Sequence, residues 1–229
     1  MGRNSKAMGK VSVILPTRRR VEKLDASLRS LYEKARGEFE LLVGVDNDDL
    51  ETVNYLVKNY PDTKILLVKR MGYSRLHEYV NKLSYMAEGD WLFLWNDDAI
   101  MHTKGWDSEI EKQSGFSVFC PRCNQYGYKP SHNNLFPIVP RQWIKLFGYF
   151  SLSPQNDSFV QHISNRAEIA KDIAIEIEHR HYSVTGEGLD ETASQIQYEE
   201  DFHGKYGGIL DENARIIRNY LLNEGVIDK

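Results

Sequence analysis

The chain has 229 residues, 41% hydrophobic and 27% charged, with 29 Lys and Arg against 33 Asp and Glu for a formal charge of −4. That length buries a sizeable core, and apolar runs spread along it exclude a disordered chain. The acidic balance disfavours a globally basic nucleic-acid binder, and no apolar stretch approaches the ~20 residues of a membrane-spanning helix.

In chain order, Met1 to Lys10 is polar and basic and lacks the apolar core of a secretory signal. Residues 1–9 read as a disordered start or tag remnant, and 10–229 as one domain. Lys10 to Leu15 is a short β-branched run that reads as a buried strand ended by Pro16. Val21, Leu24, Leu28 and Leu31 recur at helical spacing, and Gly37 closes that helix. Phe39 to Val45 is a second strand, terminated by the acidic cluster Asp46-Asn-Asp-Asp49. Leu50, Val53, Leu56, Val57 and Tyr60 form the next helical stripe, ended by Pro61, and Lys64 to Lys69 is a third strand. Tyr73, Leu76, Val80, Leu83 and Ala87 give a third helix, stopped by Gly89, before the strand Asp90 to Trp95 meets Asn96-Asp97-Asp98.

Three strand–helix units followed by a strand predict an α/β fold with a mostly parallel, Rossmann-like sheet flanked by helices, because parallel neighbours need crossovers. Ligands gather beyond the carboxyl ends of such strands, where both acidic clusters fall. After Gly115 the pattern is less regular. Ser117 to Pro121 reads as a strand, Gln125 to Pro140 lacks periodicity, and Arg141 to Phe150 holds a short helix leading into a loop with Gly148, Pro154 and Asn156. Arg166 to Ile177 begins helically and runs into a strand through His179 and His181. From Asp190 the chain reads as two helices separated by Gly207-Gly208.

Only Cys120 and Cys123 occur, so no disulfide framework exists and the expected compartment is a reducing cytoplasm. With His132 they make half of a zinc site; the plainer reading is two semi-buried thiols at a strand end. Two adjacent carboxylates at the end of a buried strand cost desolvation and repulsion unless a cation or hydrogen-bond donors compensate. Hard oxygen ligands there suit Mg²⁺ or Mn²⁺ bridging to a diphosphate, although Asn-Asp-Asp is also ordinary turn material. The arginines Arg18, Arg19 and Arg20 stand at a helix start, where the dipole prefers anions, so they read either as a solvated face or as phosphate contacts.

The succession Val11-Ser-Val-Ile-Leu-Pro-Thr-Arg18, Phe39-Glu-Leu-Leu-Val-Gly-Val-Asp46 and Gly89-Asp-Trp-Leu-Phe-Leu-Trp-Asn-Asp-Asp98 resembles family 2 glycosyltransferases, which have the GT-A (nucleotide-diphospho-sugar transferase) fold. The resemblance covers about residues 10 to 110. It implies a single GT-A-type domain with a nucleotide-sugar-binding half at 10–115 and an irregular, helical acceptor-side half at 116–229. By position, Pro16, Thr17, Arg18, Asp46 and Arg75 would lie at the nucleotide. Asn96-Asp97-Asp98 matches the DxD metal motif with its first Asp replaced. Asp98 would then bind Mn²⁺ or Mg²⁺, with Asn96 or Asp97 at ribose or metal-bound water. A histidine from the later half, His179 or His181, would complete the metal site.

The same resemblance implies inverting transfer from a nucleotide-diphospho-sugar, most simply a UDP-sugar, to a carbohydrate or other hydroxyl acceptor. Asp157 is the expected general base, with Glu199-Glu200-Asp201 the competing acidic cluster, and Trp143 and Tyr149 are acceptor-side candidates. Trp91 and Trp95 read as packing. Two other readings stay open: an inactive nucleotide-sugar-binding module, and a nucleotidyltransferase, which would want glycines that Pro16 to Arg20 lacks.

Overall fold

The computed structural model describes residues 10–131, 133–186, 194 and 201–226. Its framework is β1 (Val11–Thr17), α1 (Val21–Lys34), β2 (Glu40–Asp46), α2 (Leu50–Asn59), β3 (Lys64–Val68), α3 (Leu76–Met86) and β4 (Trp91–Leu94). There follow β5 (Ala99–Met101), α4 (Trp106–Glu111), β6 (Val118–Cys123), β7 (Ile138–Pro140), α5 (Arg141–Phe147), α6 (Asn156–Arg166), β8 (Ala170–His179), α7 (Tyr182–Thr185) and α8 (Phe202–Asn223). One eight-stranded sheet runs in the order β3-β2-β1-β4-β7-β6-β8-β5. β1, β2, β3 and β4 are parallel, β7 is antiparallel to β4 and β6, and β8 is parallel to β6 and antiparallel to β5. The α/β architecture with helices on both faces is therefore as expected, the sheet being mixed beyond β4.

Alternation along β1 feeds both faces. Val11, Val13 and Leu15 pack with Leu24, Leu28 and Leu31 of α1 and with Trp106 of α4. Ile14 packs on the opposite side with Val80 and Leu83 of α3, Phe159 and Ile163 of α6, and Leu210 and Ile217 of α8. Placing β2 on one side of β1 and β4 on the other creates a switch point, which in open α/β sheets is where a ligand crevice forms.

Several local expectations are corrected. Pro16 does not end β1, which runs to Thr17. Ile14 O accepts from Trp95 N on the β4 side, and residues two apart point the same way. The missing N–H of Pro16 thus falls where β4 has already stopped and breaks no ladder. Asp46 lies within β2 rather than after it.

Residues 156–166 form α6, not loop, because Phe159, Val160 and Ile163 make a buried stripe after Pro154. The segment expected to begin helically at Arg166 is the end of that helix; β8 follows, with Ile173, Ile175 and Ile177 buried in strict alternation. β8 stops at His179, so His181 lies beyond the strand. Gly207-Gly208 interrupts nothing: α8 is one helix of 22 residues. The cost of about 1 kcal/mol per internal glycine is offset by burial of Tyr206, Leu210, Ala214, Ile217 and Leu221.

Trp91 and Trp95 are core residues. Trp143, proposed for the acceptor side, is core as well, its indole N–H donating to Phe150 O at 3.2 Å. Tyr149 pairs with Asn213 against α8. Among the described residues no helix is long and apolar enough to cross a membrane.

Candidate active site

A cleft of about 380 Å³ opens beyond the carboxyl ends of β1, β2 and β4. Pro16, Thr17, Arg18, Arg20, Asp46, Asn96, Asp97, Asp98, Asp157, His179 and His181 all line it. Of the residues expected at the site, Arg75 stands apart. It is an exposed side chain paired with Glu78 on the first turn of α3, and Arg70, two residues past β3, lines the cleft instead.

The β1–α1 turn is pinned by acids from β2 and its following loop. Arg18 Nη1 donates to Asp46 Oδ2 at 2.9 Å and to Asp48 Oδ1 at 2.5 Å, and Nη2 donates to Asp48 Oδ2 at 3.0 Å. The Asp48 hydrogen bond above all raises the Arg18 pKa against the effect of burial, so the guanidinium stays charged. The other Asp46 oxygen accepts from the Tyr79 hydroxyl. Burial, then Asp46, push the Tyr79 phenol up to about 12 and keep it a donor. Both Asp46 oxygens are thus committed within the protein.

Arg19 sits in the left-handed region at φ 49°, a conformation that costs a residue with a Cβ about 1–2 kcal/mol. Its N–H donates to Asp49 Oδ2 at 2.7 Å. Asp49, 2% exposed, also caps α2 by accepting from Thr52 N at 3.2 Å.

Adjacent acids on the β4 loop have opposite environments. Asp97 Oδ2 accepts from Thr17 Oγ1 at 2.7 Å and Oδ1 from Arg20 Nη1 at 3.0 Å. Burial nevertheless raises its pKa, with Arg20 opposing and the neighbouring Asp98 charge adding to the rise. Asp98 Oδ1 faces His179 Nε2 at 3.2 Å. Burial acts against its charge too, but the hydrogen bond and charge of His179 outweigh that and hold Asp98 below the ordinary carboxyl value. Two coupled carboxylates are thereby driven apart, Asp97 upward and Asp98 downward. The Asn96 backbone is fixed by Ser27 Oγ, which donates to its carbonyl at 3.1 Å and accepts from the Trp95 indole at 2.7 Å.

His179 ends β8, and Arg180 N donates to Asp98 O at 2.8 Å, tying that strand end to the β4 loop. The His181 ring centroid lies 5.3 Å from that of His179, and burial followed by the His179 charge lowers its pKa, favouring neutral imidazole. Asp157, half-buried in the first turn of α6, lines the cleft. Desolvation pushes its carboxyl up, against N–H donation from Ser158 and its own backbone. Glu199 and Glu200 lie outside the described residues; Asp201 is the N-cap of α8, accepting from Gly204 N at 2.9 Å.

The donor set suits a divalent cation completed by substrate. Asp98 Oδ1 and His179 Nε2, 3.2 Å apart, are the two donors that would hold such an ion. Asp97 is spoken for by Thr17 and Arg20. Among the described residues no three His, Cys, Asp or Glu side chains converge as a ready-made metal centre. Further ligands would therefore have to come from water or a bound molecule, the usual habit of Mg²⁺ and Mn²⁺. Cys120 and Cys123 are buried free thiols, and burial raises both pKa values, that of Cys120 to about 12; His132 lies outside the described residues.

Sequence reasoning missed Tyr79, Arg70, Asn124 and Gln125. Tyr79 falls beside the apolar stripe of its helix, Gln125 in the segment without periodicity, and Arg70 and Asn124 between the elements read from the pattern. Arg20 carried only the signal of a basic triplet.

An open α/β sheet with a crevice at its switch point, floored here by acids and an imidazole, places a ligand site beyond the carboxyl ends of its strands. The sequence matches no protein-family model and no curated protein. Solved structures do align with it. Mannosyltransferase PcManGT from Pyrobaculum calidifontis, in complex with GDP-Man and Mn²⁺, superimposes with a TM-score of 0.60 at 13% identity, over 98% of this chain and 77% of that one. S. aureus TarS 1-349 aligns with a TM-score of 0.57 at 17% identity, covering 94% of this chain and 74% of that one. Its complex with UDP-GlcNAc gives 0.59 at 17% identity, covering 93% and 67%. The chain has a GT-A-type glycosyltransferase fold.

Proposed function

We propose that the protein is a divalent-cation-dependent glycosyltransferase that moves a sugar from a nucleotide-diphospho-sugar to an acceptor hydroxyl with inversion. One observation carries this reading: Thr17, Asp97, Asp98, Asp157 and His179, drawn from distant parts of the chain, line one cleft at the switch point of a GT-A-type sheet. Pro16, Thr17, Arg18, Asp46 and Asn96 would border the nucleotide, with Arg70 taking the place expected of Arg75. We assign residues 10–115 to the donor side and 116–229 to the acceptor side. A reducing, cytoplasmic setting agrees with the two buried free thiols.

In the proposed reaction the acceptor oxygen attacks the anomeric carbon, and the bond from that carbon to the diphosphate oxygen breaks. The nucleoside diphosphate leaves with the electron pair, and Asp157 takes the acceptor proton. Held by Asp98 and His179, Mn²⁺ or Mg²⁺ would neutralise charge on the leaving diphosphate. Arg20, charge-paired with Asp97, keeps the second acid of the pair from repelling that same anion.

Asp157 suits the base role because its raised pKa brings it nearer to neutrality, where a base is both ionised and basic. The linkage sign gives a test. A carboxyl raised on folding favours the folded state below its unfolded value of 3.8, and that contribution is lost as pH climbs through the raised value. Asp157→Asn should therefore melt higher than the parent at pH 8, by roughly 2–4 °C for about 1 kcal/mol in a chain of this size. The gain should vanish near pH 4, and transfer should be lost throughout. An equal change in melting temperature at both pH values would remove the raised carboxyl from the account.

A second reading, a binding module without turnover, is favoured by the closure of both Asp46 oxygens inside the protein. Calorimetry with UDP, GDP, UDP-GlcNAc and GDP-Man, with and without MnCl₂, separates the two. The transferase reading expects nucleotide binding strengthened at least tenfold by Mn²⁺, together with nucleoside diphosphate release from the cognate sugar. Metal-independent binding without release supports the module instead.

A further inference from the structure

We infer that Asn124-Gln125 is a clamp that orients His179 for cation binding, with Gln125 the positioning residue for the ring. The inference rests on the reading that Asp98 and His179 hold a divalent ion, and it assigns a role to a turn which the sequence pattern left blank.

A histidine binds a metal ion through a nitrogen lone pair, so the other ring nitrogen must carry the proton, and its hydrogen-bond partner decides which is which. His179 Nε2 faces Asp98, and Nδ1 lies 3.0 Å from Gln125 Oε1. An amide oxygen only accepts, so Nδ1–H donates to it, and Nε2, which faces the Asp98 carboxylate, is the ring nitrogen left to ligate a cation once its own proton is displaced.

The backbone of the same histidine is gripped by the preceding residue of the turn. Asn124 Oδ1 accepts from His179 N at 2.8 Å, and Asn124 Nδ2 donates to His179 O at 3.2 Å. That side chain extends the hydrogen-bonding edge of β6 by one residue, at the point where the β6–β8 register has just shifted between Pro121 and Arg122. The ring of Phe136, edge-on at 5.2 Å, closes the remaining freedom of the imidazole. Backbone nitrogen, backbone oxygen and ring nitrogen are therefore all held by one dipeptide. A histidine that merely filled space beside Asp98 would need the packing from Phe136 but not the polar contact at Nδ1.

Gln125 is itself exposed, so replacing it removes no core packing, and its loss can be read separately from folding. The experiment measures Mn²⁺ affinity of the full chain in the presence of UDP, and separately GDP, from the electron paramagnetic resonance signal of free Mn²⁺. Gln125→Leu should weaken Mn²⁺ binding about ten- to a hundred-fold, the usual consequence of deleting a partner behind a ligand, with an unchanged melting temperature. Gln125→Glu, whose carboxylate also only accepts, should restore affinity to within about threefold of the parent.

Parent-like affinity in Gln125→Leu overturns the clamp. So does a loss in Gln125→Glu as large as in Gln125→Leu, since that would mean Nδ1 is the acceptor and Nε2 carries the proton. A parent protein that binds no Mn²⁺ with either nucleotide overturns the cation reading itself, a result distinct from a parent that binds and variants that bind equally.

Discussion

Asp98→Ala should lower kcat/KM for sugar transfer by about 10³-fold or more, the equivalent of the several kcal/mol a bound cation supplies to a leaving group. The fold should survive. Asp98 shares its surroundings with Asp97, whose carboxyl is already forced upward by burial and by the Asp98 charge. Deleting Asp98 relieves that repulsion while removing the partner of His179 at 3.2 Å, so the two changes in stability oppose one another. The neighbouring substitution Asp97→Ala should behave differently. It removes the acceptor of Thr17 Oγ1 and of Arg20 Nη1, both of which reach Asp97 through buried or nearly buried groups, and should depress the melting temperature more than Asp98→Ala does. Rates of nucleoside diphosphate release alongside thermal melts of the two variants decide the matter. Transfer within tenfold of the parent in Asp98→Ala would sink the assignment of Asp98 as the cation ligand.

Arg18→Ala should be the more damaging change to stability, costing about 3–5 kcal/mol because it leaves a buried carboxylate without its counter-ion. Asp46 is 4% exposed and would retain only the Tyr79 hydroxyl. For a chain of this size the melting temperature should fall by about 6–20 °C. Asp48→Ala should cost far less, since its side chain is 45% exposed and water replaces its partner. The double variant Arg18→Ala, Asp46→Ala should lose less than the sum of the single losses, because the one ion pair between them is counted in both single losses. Additive losses, or a fall of under about 2 °C for Arg18→Ala, would show that Asp46 is stabilised by something other than this pair.

The first four strands and three helices were legible because each writes its own local pattern. β1 and β2 are unbroken apolar runs, and α1 repeats Leu24, Leu28 and Leu31 down one face. Later elements were harder for a physical reason. β5 and β7 have three residues each, too short for any period to be read, and they exist only because β8 and β4 lie ready to pair with them. The three glycines inside α8, Gly204, Gly207 and Gly208, weaken the local signal, while the core that overrides them comes from α6 and is invisible to a window along the chain.

The sequence by itself determined the chemical inventory of this protein: acids at the ends of the second and fourth strands, a basic turn after β1, and histidines in the second half. What the tertiary structure decided is which member of each set does what. Asp97 and Asp98 are identical side chains one residue apart. Their pKa values diverge because one is surrounded by Thr17 and Arg20 and the other meets His179 across the sheet. Asp46, placed at the nucleotide by position, also accepts from Arg18 and from Tyr79 of α3 while lining the cleft. Burial and pairing are properties of a neighbourhood assembled from distant segments, so a carboxylate's charge and availability are settled only when the chain has folded.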